Sequence, residues 1–196
     1  MHRQPLLRML EQYAFKHPEE SASVEKIADL VTSCPDCFER SCRPGHVTGS
    51  AWVLSHDRSK CLLVHHRKLN RWLQPGGHAD GQSQVEQVAL REAQEESGLT
   101  ALELEPSGVA AEPLDIDVHL IPARLDAAGN VVEDSHEHHD IRFLLVATQV
   151  QALVLSEESH DLRWFSNHAV LNVTAEESVL RMMRKAGPYP VGAPAR

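Results

Sequence analysis

The sequence lacks the long apolar segments that a membrane protein needs. No stretch approaches the roughly 18 consecutive apolar residues that span a bilayer, and the N-terminus has no long apolar run of the signal-peptide kind. We therefore expect a cytoplasmic protein that has no membrane partner.

Positive charge is also scarce. The chain has 19 Lys and Arg residues against 28 Asp and Glu residues, which gives a net charge of −9. This balance predicts no basic surface and argues against nucleic acid as the main partner. An acidic enzyme that acts on anionic phosphates must supply positive charge locally, and this favours a bound metal ion.

The composition is otherwise that of an ordinary soluble globular protein, with 42% hydrophobic and 24% charged residues among 196. The sequence contains no internal repeat, and its length suits one domain with an appendage. We expect an N-terminal helical extension and connector over residues 1–44, a catalytic domain over 45–187 and a loosely ordered tail over 188–196.

Cysteines are few, with four in the whole chain. Cys34, Cys37 and Cys42, followed by His46, resemble part of a zinc site, but only the first pair has the spacing of zinc ligands. The alternative is a proline-rich connector with ordinary thiols, and we predict no stoichiometric zinc at these four residues. Cys61 falls in a predicted strand, where a small buried side chain is expected.

The best-defined element is a helix that follows a glycine loop. Ser83 is the predicted N-cap, Glu86 completes a capping box, and Gly98 is placed to end the helix in a left-handed conformation. Six residues fall on one face of this helix by their spacing. They are Val85, Val88, Ala89, Glu92, Glu95 and Glu96.

The last three residues of that face, Glu92, Glu95 and Glu96, form an acidic cluster. Like charges at this spacing repel one another. Arg91 can neutralise one carboxylate by pairing with it, and the others call for a hard divalent cation with oxygen ligands, Mg²⁺ or Mn²⁺. The alternative is a solvated acidic helix end, which is common for runs of charge.

From Gly77 to Leu99 the chain resembles the box of the Nudix hydrolase family. That box has Gly, five residues, Glu, seven residues, Arg-Glu, an apolar residue, any residue, Glu-Glu, any residue, Gly and an apolar residue. The positions that match in register are Arg91-Glu92, Ala93, Glu95-Glu96, Gly98 and Leu99. Ser83 stands where the family has its first glutamate.

The resemblance implies a metal-dependent pyrophosphohydrolase that cleaves a diphosphate linked to another moiety, of the nucleoside diphosphate derivative type. Glu92, Glu95 and Glu96, with the backbone carbonyl of Gly77, would hold Mg²⁺ or Mn²⁺. Glu92, Glu95 and Arg91 would form the catalytic set, with Glu92 as ligand or general base and Arg91 orienting the glutamates. Two alternatives stay open: a diphosphate isomerase of the isopentenyl type on the same fold, and a nucleotide-binding sensor that does not hydrolyse its ligand.

The remaining segments predict the α/β class. Two apolar stripes before residue 33 predict two helices that are separated at His17-Pro18. Predicted strands at 50–54 and 61–65 form a hairpin, and others follow at 101–104, 114–122 and 138–150. Strands in mixed order around a helix fit an α/β/α sandwich on a mixed sheet, with an N-terminal helical extension. The extension can pack on the sheet, cover the substrate site or form a homodimer interface.

Polar side chains also occur within these strands. Asp115, Asp117 and His119 alternate and so share one face, and His119 is a candidate for substrate binding because it lies inside a strand. The run His136–His139 is predicted to be a charged loop tip on an exposed edge; the alternatives are a pocket lining and a second metal site. Arg67 is the residue that the resemblance suggests for contact with substrate phosphate, and the alternative is a solvated strand end.

Three carboxylates, Glu157, Glu158 and Asp161, precede the segment Arg163–Phe165, which resembles the final strand of the family. The resemblance implies that one of them completes the metal site or serves as the base, and the sequence does not select among them. A last helix is predicted to follow and to stop at Gly187.

Overall fold

The computed structural model describes residues 2–106, 110–157 and 159–187. This part of the chain contains five α-helices, one 3₁₀ turn (Pro18–Glu20) and ten strands. The helices are α1 (Gln4–Lys16), α2 (Ser21–Ser33), α3 (Val85–Ser97), α4 (Asn167–Val173) and α5 (Glu177–Lys185). The strands are β1 (Gly45–Leu54), β2 (Cys61–His66), β3 (Arg71–Leu73), β4 (Gly76–His78), β5 (Leu102–Leu104), β6 (Asp115–Ile121), β7 (Arg124–Leu125), β8 (Val131–Glu133), β9 (His136–Ala147) and β10 (Ser159–Phe165). Glu158 and the predicted tail lie outside the described residues.

Eight strands form one mixed sheet with the order β10-β2-β1-β9-β5. In addition, β3 pairs with β2, β4 with β1 and β6 with β9, whereas β7 and β8 form a separate two-stranded ribbon. β1 and β9 run parallel along the whole of β1, and the other pairings in the described part are antiparallel. Every residue of β1 is buried because helices cover both faces of the sheet at its centre.

Helices α1, α2 and α3 pack on one face of the sheet in a single apolar core. The buried side chains that they contribute are Leu6, Leu10, Ile27, Val31, Val85, Val88 and Ala89. Gly49 of β1 lies directly beneath α3, where an added Cβ would come within 2.9 Å of the Val85 carbonyl oxygen. The N-terminal extension therefore shares its core with the sheet and with α3.

Helices α4 and α5 cover part of the opposite face. Trp52 of β1 and Leu63 of β2 are fully buried there against Val170, Val179 and Met182. The α/β/α sandwich on a mixed sheet is thus confirmed. Helix α4 was not expected from the sequence; its N-cap is Ser166, whose hydroxyl accepts a hydrogen bond from the Ala169 N–H at 3.3 Å. None of the described helices is long and apolar enough to cross a membrane.

The predicted capping box at Ser83 is wrong. Helix α3 begins at Val85, its N-cap is Gln84, and no side chain caps it. The preceding loop is held in place from outside, because the Gly81 N–H donates to the Phe38 carbonyl at 3.0 Å. This tertiary contact fixes where the chain can enter the helix, and the local capping preference does not decide it.

The prediction of an exposed loop tip at His136–His139 is also wrong. These residues begin β9, where β1 pairs on one side and β6 on the other. His136 and His139 are consequently buried, at 3% and 2% exposure. The tip lies elsewhere, at the turn between β7 and β8, where the Asp126 carboxylate accepts the N–H of Asn130 at 2.9 Å.

Candidate active site

The candidate active site lies where β4 and the glycine loop meet α3. Gly98 ends the helix with a left-handed φ of 71°, and its N–H donates to the Gln94 carbonyl at 2.8 Å. The buried first turns of α3 against the sheet fix the direction of the helix, so that its acidic residues extend beside β4. We call Glu92, Glu95 and Glu96 the box glutamates.

Glu92 lies directly against the backbone of Gly77. A Cβ added at Gly77 would be 2.4 Å from Oε2 of Glu92, so a larger residue would displace this carboxylate. The contact explains physically why a glycine occupies this position in β4.

Arg91 holds Glu92 in place. Its Nη2 donates to Oε1 of Glu92 at 2.7 Å and to the carbonyl oxygen of His78 at 2.7 Å. Burial raises the pKa of Glu92 above its usual value and the nearby Glu95 adds to the rise, while Arg91 opposes it. Glu92 is therefore an unusually basic carboxylate at the centre of the site.

The other two box glutamates differ in exposure. Glu95 is exposed, whereas Glu96 is half-buried and its Oε1 accepts the Gly76 N–H at 3.2 Å. Glu92 and Glu96 contact β4 at Gly77 and Gly76, and the three carboxylates supply only oxygen ligands, which is the donor set of Mg²⁺ or Mn²⁺. The residues present thus fit the ion that the resemblance implies, and their roles remain predictions.

The N-terminal connector braces the loop from outside. Arg40 binds Asp80 through two hydrogen bonds of 2.7 Å each, and Asp80 has a left-handed φ of 49°. The hydrogen bond from Arg40 lowers the pKa of Asp80. Asp80 therefore pairs with Arg40, and Arg91 pairs with Glu92 instead.

Several residues predicted for the site lie elsewhere. Arg67 is exposed in the turn after β2, with its guanidinium 3.5 Å from the Ser159 carbonyl. Asp161 lies on β10 and pairs with Arg163 of the same strand. Burial acts to raise the pKa of Asp161, but the hydrogen bonds from Arg163 and the Leu162 N–H and the charge of Arg163 together lower it. Glu157 is exposed in the turn before β10. In the sheet order β2 lies between β10 and β1, and the loop before β10 reaches the end of α3, where the Val154 N–H donates to the Ser97 carbonyl at 2.8 Å.

His119 lies on the face of the sheet opposite to α3. Its register partner is His138 of β9, which in turn pairs with His46 of β1. The His119 Nδ1 is 3.0 Å from Oδ2 of Asp117, and its side chain is 43% exposed. His119 is therefore separated from the box glutamates by the sheet.

Four histidines meet on this opposite face: His46, His78, His136 and His138. We call them the histidine cluster. The ring of His46 is central, with centroid distances of 5.1 Å to His78, 5.0 Å to His136 and 4.8 Å to His138. Burial and the neighbouring imidazoles of His78 and His136 together lower the pKa of His46 to about 4.

A buried ion network lies beside the histidine cluster, and the sequence analysis did not identify it. The network comprises Asp115, Asp117, Asp140, Arg142, Arg181 and Lys185. Arg142 is its centre, with Nε 2.7 Å from Asp140 and Nη1 3.0 Å from Asp115. The hydroxyls of Thr48 and Ser50 also donate to Asp140, at 2.9 and 2.8 Å. The available signal was Asp140 and Arg142, which alternate on either side of Ile141 where the polar first half of β9 changes to an apolar second half.

Comparison with known proteins identifies the same family as the sequence resemblance. A family model described as the NUDIX domain matches residues 46–185. No curated protein sequence matches the chain.

Several solved structures share the fold. A hydrolase of the NUDIX family from Clostridium perfringens has a TM-score of 0.54 and 22% identity, over 71% of this chain and 95% of that chain. The Ap4A hydrolase of C. elegans in a binary complex has a TM-score of 0.51 and 18% identity, over 71% and 93%. The NUDIX domain of Shewanella oneidensis NrtR complexed with ADP ribose has a TM-score of 0.51 and 20% identity, over 81% and 95%. At these identities the likeness shows a common fold.

Proposed function

The chain belongs to the Nudix hydrolase family, and from this premise we propose that it is a metal-dependent pyrophosphohydrolase of nucleoside diphosphate derivatives. The observation that carries the proposal is the packing of Glu92 between Gly77 and Arg91, with Glu96 on the Gly76 N–H. The site holds three carboxylates and one guanidinium, that of Arg91, which pairs with Glu92. A divalent cation would offset the remaining negative charge.

The box glutamates and the Gly77 carbonyl would hold the Mg²⁺ or Mn²⁺. When bound, the ion neutralises phosphate charge and makes a water molecule more acidic. Glu92 is the residue best suited to accept the proton of that water, because burial has raised its pKa towards neutrality. Arg91 binds both Glu92 and the His78 carbonyl, and this fixes the carboxylate relative to the glycine loop.

We infer the substrate class from the family and from the chemistry of phosphoanhydride cleavage. Ap4A, the substrate after which one similar hydrolase is named, and ADP ribose, which is bound in another similar structure, both contain phosphoanhydride bonds in a phosphate chain that is esterified to a nucleoside. Cleavage of such a bond depends on charge neutralisation and on an aligned water, and it needs no covalent nucleophile. The site of this chain offers carboxylates for that purpose.

The two alternative functions receive less support. A diphosphate isomerase would need a reactive thiol, but Cys37, Cys42 and Cys61 are buried, and burial raises the pKa of each. A sensor without activity was suggested by Ser83 in place of the first box glutamate. Arg91 nevertheless has a carboxylate partner in Glu92 and also donates to the His78 carbonyl, although its buried Nε has no hydrogen-bond partner within the described residues.

The test is a hydrolysis assay on a panel that includes ADP ribose, dinucleoside polyphosphates, nucleotide sugars and nucleoside triphosphates. Each compound is incubated with Mg²⁺, with Mn²⁺ and with excess chelator, and the products are separated by anion exchange. We expect metal-dependent release of a nucleoside monophosphate from at least one nucleoside diphosphate derivative. A protein that binds these compounds but cleaves none of them would be a sensor.

The matched variants are Glu95→Gln and Glu96→Gln, with Glu86→Gln in the first turn of α3 as the control. The first two should lose at least the roughly 10- to 100-fold that substitutions behind a metal site cost. Their melting temperatures should not fall, because removing a charge relieves repulsion. If both variants turn over substrate at the wild-type rate in saturating Mg²⁺, the site lies elsewhere.

A further inference from the structure

The histidine cluster has no role in the proposed hydrolysis, and its chemistry differs from that of the box glutamates. His46 comes from β1, His78 from β4, and His136 and His138 from β9. Strand pairing places these side chains on one face, since His46 is opposite His138 and Thr48 is opposite both Asp140 and His78. That face is opposite to α3, where Gly77 contacts Glu92.

His46 presents an unusual case of a buried polar side chain. Its residue is 1% exposed, yet neither Nδ1 nor Nε2 has a hydrogen-bond partner within the described chain. The Nε2 of His138 is likewise buried without a partner. Buried polar atoms are nearly always satisfied, so these nitrogens point to a ligand.

The ligand atoms of three of the rings converge. One nitrogen each of His46, His136 and His138 lies within 4.8 Å of the other two. Nitrogens around a tetrahedral zinc ion with Zn–N distances of about 2.0–2.1 Å are roughly 3.3–3.4 Å apart. Small rotations of the rings therefore suffice to bring the three nitrogens onto one ion.

We propose that His46, His136 and His138 form a zinc site that is separate from the magnesium or manganese site of the box. Neutral imidazoles suit Zn²⁺ and other borderline first-row divalent ions, whereas Mg²⁺ prefers oxygen. Three protein ligands leave the fourth tetrahedral position to water or to His78, whose ring is 5.1 Å from those of both His46 and His138.

The surroundings supply outer-shell contacts of the kind that orient metal-binding histidines. Nδ1 of His136 lies 3.0 Å from the Asp134 carbonyl, which leaves Nε2 available for a metal. His119, next to His138, is oriented in the same manner by Asp117. The zinc would join β1 to β9, the parallel pair at the centre of the sheet, directly behind the glycine loop.

The cysteines that precede β1 are not part of this site. Within the described residues, His46 groups with His136 and His138, and no set that includes Cys34, Cys37 or Cys42 has ligand atoms within the same distance.

The experiment uses the full chain without a histidine tag, purified without chelator, because a tag would bind zinc itself. Zinc content is measured by mass spectrometry after dialysis, and the melting temperature is recorded in a zinc titration. We expect one zinc per chain. At a free zinc concentration 100 times the dissociation constant, the melting temperature should rise by roughly 5–10 °C for a chain of this size.

The variants His136→Gln and His138→Gln should lose the zinc and the thermal shift. His56→Gln, an exposed histidine in the turn between β1 and β2, is the matched control and should keep both. Glu96→Gln and Cys34→Ser should also keep the zinc. Circular dichroism establishes that each variant is folded, and the wild-type titration stands even if a variant is not.

Three results would overturn the proposal. They are a wild-type protein that neither contains zinc nor is stabilised by it, zinc retained by both cluster variants, and zinc lost in Glu96→Gln or Cys34→Ser. None of these results depends on turnover, so a protein that hydrolyses nothing can still carry the zinc, and an active enzyme can still lack it.

Discussion

Two acidic clusters lie on opposite faces of the same sheet. On the α3 face, the three box glutamates lie on the same helix as Arg91, whose guanidinium pairs with Glu92. On the other face, the three aspartates of the ion network meet three cationic side chains, of which Lys185 also contacts Glu20. The first cluster is partly open to solvent, whereas Asp115 and Arg142 are almost completely buried.

The pKa shifts of the two clusters have opposite signs. Burial raises the pKa of Glu92, and Arg91 only partly offsets this. Burial also acts to raise the pKa of Asp117, but the hydrogen bond from His119 and the charges of Arg142 and Arg181 lower it well below its usual value. In the ion network the charges are matched within the fold. The excess negative charge of the box glutamates supports the metal site that we propose.

The largest effect is expected from Arg142→Ala. This change leaves Asp115 and Asp140 buried without their shared partner, and breaking such a contact costs roughly 3–5 kcal/mol in the free energy of unfolding. Urea denaturation measures it. The control is Arg124→Ala, which removes an exposed pair with Glu133 and should change stability by less than about 0.5 kcal/mol. Equal urea midpoints for the two variants would mean that the ion network does not contribute to stability.

Gly77→Ala should affect activity and leave the fold intact. The new methyl group meets only the flexible end of Glu92, which can move, so the melting temperature should change little. The displaced carboxylate should reduce Mg²⁺-dependent turnover by roughly 10- to 100-fold. In the double variant Gly77→Ala/Glu92→Gln the two losses should not add, since both act through the same side chain. Additive losses would assign another role to Gly77.

The opposite pKa shifts predict opposite pH dependences in metal-free protein. A lowered pKa means that Asp117 contributes stability above its unfolded value of about 3.9, which is lost as the pH falls. A raised pKa means that Glu92 contributes stability below about 4.3, which is lost as the pH rises through its folded value. Relative to wild type, Glu92→Gln should therefore gain stability as the pH rises above about 4, whereas Asp117→Asn should lose stability as the pH rises towards about 4 and keep a constant deficit above it. Denaturation curves with chelator present measure both, and parallel profiles would contradict the comparison.

The smallest effect is expected from Ser83→Ala. The structure places the N-cap at Gln84 without a side-chain cap, so the usual cost of about 1 kcal/mol for losing a capping hydroxyl should not appear. The change in unfolding free energy should stay within about 0.5 kcal/mol, as for an ordinary surface substitution. A loss near 1 kcal/mol by thermal denaturation would restore the capping role.

Sequence patterns correctly predicted those features of the fold that depend on contacts between residues close together in the chain. The end of α3 at Gly98 follows from a residue that accepts positive φ, and the buried stripe of Val85, Val88 and Ala89 follows from helical spacing. The pairing of Arg91 with a box carboxylate joins neighbours in the chain. These features could be predicted because few residues fix them.

Other features depend on strand pairing between distant parts of the chain. Asp161 lies beside the final Arg-Trp-Phe segment as expected, yet the sheet order places it on β10, separated from β1 by β2. The His136–His139 run resembled a polar loop, and only the pairing of β9 with β1 and β6 made it a buried strand. Polarity alone could not reveal this, because burial of polar groups depends on partners from elsewhere.

The sequence by itself determined the family, the acidic helix and the oxygen donors for a hard cation, because these reside in one continuous segment of 23 residues, 77–99. The tertiary structure decided the start of that helix, the balanced ion network and the meeting of four histidines from positions 46, 78, 136 and 138. The physical reason is that a helix face is set by a repeat within the segment. A strand face acquires its neighbours only when separate strands pair in register.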